Sequence, residues 1–149
     1  MNARFVRKEE VGPDIWELFF RPDGRLDYQA GQYVDVQLMN VVDSRGPSRT
    51  LSLTSLPTDE LLSFAVKFPS PHSVYKSRLL ELSVDDEVSI SQAMGDLVLP
   101  RDMTRALVFV AGGLGIASFV AMMKHMGNEA SPRDITLLYA HKPDEKLFV

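Results

Sequence analysis

Apolar and polar positions alternate along the first hundred residues in short bursts separated by turn residues, a spacing that predicts strands. Residues 3–11 and 15–21 are two such bursts, parted by Gly12-Pro13-Asp14, and Pro22-Asp23-Gly24 closes the second. Further strands are predicted at 32–38, where Tyr33, Val34 and Val36 are β-formers, and at 50–54, 61–68 and 87–92. One helix interrupts them, at 73–82, with Ser73 as N-cap after Pro71 and with Val74, Leu79, Leu80 and Leu82 along one side. Many short strands and a single helix predict a closed antiparallel barrel.

The texture changes at Pro100-Arg101-Asp102. A continuous apolar run follows at 106–111, then a glycine turn, a helix at 116–126 ending at Gly127, and a second apolar run at 134–140. That succession is a βαβ unit, the opening of a parallel sheet. Pro143-Asp144-Glu145 reads as the start of another helix. A parallel sheet of two strands leaves apolar surface bare, so the expected organisation is a barrel at 1–100 and the first part of an α/β domain at 101–149, cut short. Its uncovered face predicts either a homodimer through the α/β unit or mobile residues after Arg133.

Composition narrows the picture. The 149 residues are 45% hydrophobic and 24% charged, a globular balance, and the net charge of −4 argues against a nucleic-acid partner. With no cysteine, this chain has no disulfide and no thiolate metal site of its own, and scattered His72, His125 and His141 predict no metal centre. The N-terminus carries no apolar signal core, and a cytoplasmic protein is the expectation. Residues 106–123 are uncharged and long enough to suggest a membrane span, but the glycines at their centre fit a strand–turn–helix instead.

Two stretches carry candidate chemistry. In Gly112-Gly113-Leu114-Gly115 the glycines lie between an apolar strand and an apolar helix, where backbone N–H groups can meet a diphosphate. The same glycines also suit a plain tight turn. In Ser48–Ser55, SRTLSLTS, Arg49, Ser52 and Ser55 fall at R-x-x-S-x-x-S. On an extended strand Arg49 shares a direction with Leu51 and Leu53, while Ser52 and Thr54 take the other. Such a strand can offer a bidentate guanidinium to phosphate and a hydroxyl to a flat heterocycle.

Five elements in order then resemble the ferredoxin–NADP⁺ reductase-like flavoproteins: Gly31-Gln32-Tyr33; Arg49-Thr50-Leu51-Ser52 with Ser55, close to R-x-Y-S-x-x-S; Val66-Lys67-Phe68; Gly95-Asp96-Leu97-Val98-Leu99, close to G-x-F-x-L; and Gly112-Gly113-Leu114-Gly115-Ile116, the G-G-x-G-I turn. The resemblance implies a six-stranded Greek-key flavin-binding barrel with FAD and NAD(P)H as cofactors. It implies that Arg49 binds the flavin pyrophosphate, with Thr50 and Leu51 in the same motif. Ser52 would be the catalytic residue, its hydroxyl near flavin N5. Val66, Lys67 and Phe68 would touch the flavin tail, Lys76 and Ser77 the pyrophosphate, and Gly112, Gly113 and Gly115 the pyridine nucleotide. Leu51 departs from the usual tyrosine, and Ser118 from the proline of G-G-x-G-I-x-P. The implied activity is an NAD(P)H oxidoreductase passing electrons to a protein or metal acceptor. Its rivals are a non-catalytic barrel and an electron-transfer subunit of a larger complex.

Overall fold

The structure is a computed structural model and describes residues 1–130 and 133–141. The expected helix start at Pro143 lies outside the described residues. Six strands form one antiparallel sheet: β1 (Asn2–Gly12), β2 (Ile15–Pro22), β3 (Tyr33–Leu38), β4 (Ser48–Ser52), β5 (Leu62–Lys67) and β6 (Glu87–Ile90). Their spatial order is β4-β3-β6-β1-β2-β5. A bridge between Leu53 and Phe64 joins the two end strands, backed by the Thr54 N–H donating to the Ser63 carbonyl at 2.9 Å, so the sheet closes into a barrel.

Closure explains a shift in the β4 boundaries. The alternation of 50–54 runs on past Ser52, but the regular ladder with β3 ends there: the Leu53 N–H reaches the Gln32 carbonyl just before β3, while Leu53 bridges Phe64 and Thr54 pairs with Ser63, both in β5. Closure also buries β5 on both faces, from Leu62 through Val66. In the core Phe20 makes edge contacts to Phe5 at 5.5 Å and Phe64 at 5.8 Å, and Val34, Val36, Val88 and Ile90 belong to the same buried cluster.

Helix α1 (Val74–Leu80) covers part of this core, and its inward stripe differs from the expected one. Val74 is 56% exposed, whereas Tyr75 and Leu79 are fully buried and Leu82 nearly so. The stripe therefore runs i, i+4, i+7 from Tyr75. A buried phenol needs a partner, and the Tyr75 hydroxyl donates to the Val36 carbonyl at 2.8 Å. Ser73 does cap the helix, accepting from the Lys76 N–H.

Strand β7 (Leu107–Gly112) pairs in parallel with β8 (Ile135–Ala140). Between them a 3-10 turn, Gly113–Ile116, leads directly into α2 (Ala117–Asn128). The uncharged run thus divides into strand, turn and helix. No helix among the described residues is long and apolar enough to cross a membrane. Helix α2 covers one face of the pair, with Phe119 stacked on Phe109 at 4.6 Å. On the other face Val108, Val110 and Leu138 are exposed, as a two-strand parallel unit predicts.

Candidate functional site

Strand β4 carries the site, and its two ends do different things. At one end the Arg49 guanidinium lies against the Tyr75 ring, 4.7 Å from its centroid. Its Nη1 donates to the carbonyls of Gly46 at 2.8 Å, Ser48 at 2.6 Å and Arg45 at 3.3 Å. Its Nη2 donates to Asp43 Oδ1 at 2.5 Å, and the pair is nearly enclosed, with side chains 12% and 3% exposed.

Asp43 escapes a sequence reading, because no spacing rule links a lone loop acid to Arg49. Its carboxylate is fixed from three sides: the Tyr75 N–H reaches Oδ2 at 3.0 Å, while the Arg45 N–H at 2.9 Å and the Arg49 guanidinium reach Oδ1. These contacts, the Tyr75 N–H foremost, hold its pKa down to about 2. The folded pKa lies below the unfolded one. The ionised form therefore stabilises the fold above the ordinary carboxylate range of about 4, and that contribution is lost as pH falls through about 2. The melting-temperature gap between wild type and Asp43→Asn is expected to be constant at neutral pH and to shrink between these limits. A gap unchanged down to the lower limit would contradict the assignment.

Lys76 extends the cationic ground. Its Nζ donates to the Lys67 carbonyl at 2.5 Å, and its pKa is lowered by burial and then by Arg45 and Arg49. Arg45, Arg49 and Lys76 thus lie near one another, with Asp43 ion-paired only to Arg49 among the described residues, a local surplus of cations that suits a further anion. Ser77 lies on the same helix, its N–H bonded to the Ser73 carbonyl. Val66 and Phe68 belong to the barrel core by their side chains, so what β5 offers a ligand there is backbone and Lys67. Thr50 is exposed and donates to Asp35 at 2.6 Å, on the side of β4 away from Arg49. Leu51 is half-buried against the core. Ser55 is fully enclosed, bonded to the Tyr28 hydroxyl at 2.9 Å and to the Ser63 N–H at 3.1 Å, and it serves the barrel wall.

At the other end of β4, Ser52 Oγ lies 3.0 Å from Ser118 Oγ in the first turn of α2. The strand and the glycine turn, distant in sequence, thus meet. Gly113 has a positive φ of 49°, but Gly112 and Gly115 do not, and a Cβ at any of the three would meet nothing within 4 Å. Neither backbone geometry nor packing within the chain explains glycine at 112 and 115. A backbone left open in this way can admit a phosphate at the helix start. Arg49 and Ser52 are three residues apart on an extended strand, roughly 10 Å along it and on opposite faces.

Gly31-Gln32-Tyr33 and Gly95–Leu99 instead bind each other. Gln32 Nε2 donates to the Gly95 carbonyl at 3.0 Å, and the Tyr33 N–H donates to the Met94 carbonyl at 3.0 Å. Gly31 lies directly against the Leu97 carbonyl and the Met122 side chain of α2.

These features define a class: a six-stranded antiparallel barrel joined to the opening of a parallel nucleotide-binding sheet. The comparisons agree. The ferredoxin–NADP⁺ reductase of Plasmodium falciparum superposes with a TM-score of 0.82 at 23% identity, over 99% of this chain and 62% of that one. The flavohemoglobin of Malassezia yamatoensis, solved with bound FAD and heme, superposes at 0.78 with 20% identity over 99% of this chain and 38% of that one. In sequence, the toluate 1,2-dioxygenase electron transfer component of Pseudomonas putida is 32% identical over 124 residues, 83% of this chain and 35% of that protein. No protein-family model matches the chain. In fold the chain is ferredoxin–NADP⁺ reductase-like, as its five motifs implied, and in sequence it is similar to electron-transfer and reductase components of oxygenases. It spans about a third to two-fifths of the length of the curated relatives it matches.

Proposed function

We propose that the chain is the flavin-binding part of an FAD-dependent NAD(P)H oxidoreductase, residues 1–100 forming the flavin barrel and 101–149 the start of the pyridine-nucleotide domain. The observation that carries this reading is the layout of β4. The strand presents a guanidinium within a cation cluster on one face and, roughly 10 Å along on the other, a serine hydroxyl facing a glycine turn. A flavin would supply hydride acceptance from NAD(P)H and onward delivery of electrons, and the protein supplies orientation and electrostatics.

Arg49 and Lys76 would hold the phosphates, and Ser52 would direct its hydroxyl at the ring. Ser118 restrains the Ser52 hydroxyl and takes the place of a rigid proline. Gly112, Gly113 and Gly115 leave the backbone open to the pyridine nucleotide. The similarity to electron-transfer and reductase components of oxygenases supports a protein electron acceptor.

Titration of the purified chain with FAD is expected to quench flavin fluorescence saturably and to leave a yellow protein after gel filtration. A colourless chain that binds neither FAD nor FMN would overturn the reading.

A further inference from the structure

Arg49 has an anion of its own, although the proposed function assigns it to a flavin phosphate. Asp43 bonds its Nη2 at 2.5 Å inside a nearly closed site. The Tyr75 and Arg45 N–H groups hold that carboxylate in place, so it is not free to swing away when a ligand arrives. Nη1 is spent on three carbonyls, and no hydrogen bond engages Nε among the described residues. A phosphate therefore has to approach a guanidinium whose charge is already largely matched, and has to do so beside a second negative group.

We propose that Asp43 is the counter-anion of Arg49 in the flavin-free protein and competes electrostatically with the flavin phosphate, so that it lowers flavin affinity and sets how readily flavin exchanges. The inference rests on the proposed function. A nearly buried guanidinium without an anion is strongly unfavourable. Asp43 removes that penalty when no phosphate is bound, and so stabilises the free protein more than the bound one. Whatever stabilises only the free state weakens binding by linkage. Arg45 and Lys76 remain as cations for the phosphate, so the site still attracts it.

The test compares FAD, FMN and riboflavin, which lacks phosphate, on the full chain by fluorescence titration. Asp43→Asn is expected to bind FAD and FMN about tenfold more tightly, the size of one nearby charge at partial exposure, with riboflavin unchanged and the melting temperature of the flavin-free protein lowered. In the Arg49→Ala background the same substitution is expected to leave much less of that gain. FAD affinity that stays level or falls in Asp43→Asn, or riboflavin affinity that moves in step, overturns the inference. Should Asp43→Asn not fold, Asp43→Ser keeps an acceptor for the Tyr75 N–H, and the same three ligands decide with the same outcomes. If wild type binds no flavin at all, the proposed function fails first and this inference with it. If wild type binds and the variant does not tighten, only the inference fails.

Discussion

Gly31→Ala is expected to lower folding stability by about 4 kcal/mol, the sum of a backbone penalty and a packing penalty. Gly31 has φ of +102°, a region that side chains rarely adopt. Holding alanine there costs about 1–3 kcal/mol. Its Cβ would also come within 2.2 Å of the Leu97 carbonyl oxygen and 2.1 Å of Met122 Cε. The methionine end can move, but the Leu97 carbonyl is backbone. Forcing that joint apart adds about 1–3 kcal/mol. For a chain of this length the melting temperature should fall by roughly 8–16 °C. Gly112→Ala is the control: it has no positive φ and open space around it, and it is expected to stay within about 0.5 kcal/mol of wild type. Thermal unfolding followed by circular dichroism separates the two. A loss below about 3 °C for Gly31→Ala would show that barrel and α2 yield at this contact.

The contrast between these glycines marks what a sequence can carry. The barrel strands were legible because one buried face imposes a period of two, and the βαβ unit because β7 and β8 are apolar at successive positions, although one of their faces is exposed here. The end of β4 was not, since alternation continues through Leu53 although the strand has changed partners. In α1 the stripe read from Val74 was wrong in phase, because Tyr75, with a polar tip on a buried ring, takes the inward position instead. Motifs gave residue types at fixed spacing but not neighbours. Gly31 and Gly95 carried the resemblance without a stated role, and the fold shows them forming a packing joint. Asp43 and Ser118 reach Arg49 and Ser52 only through the fold, so no local pattern announces them.

Arg49→Ala is expected to weaken FAD binding about ten- to a hundredfold, the worth of a charge-assisted phosphate contact of roughly 1.5–3 kcal/mol. The structure offers a competing account in which Arg49 only clips the 43–48 loop, since it gathers the carbonyls of Arg45, Gly46 and Ser48 together with Asp43. The two accounts part on which quantity moves. A clip would change stability and leave the affinity of the folded protein alone. A phosphate ligand changes affinity at temperatures where both proteins are fully folded. Arg49→Lys sharpens the comparison, because an ammonium keeps the charge but has no planar fork to hold three carbonyls and a phosphate together. Its FAD affinity is expected to fall between wild type and alanine. Fluorescence titration at a temperature well below either melting transition measures all three. Alanine affinity within twofold of wild type would reduce Arg49 to a loop clip and move the phosphate contact to Lys76 and Arg45.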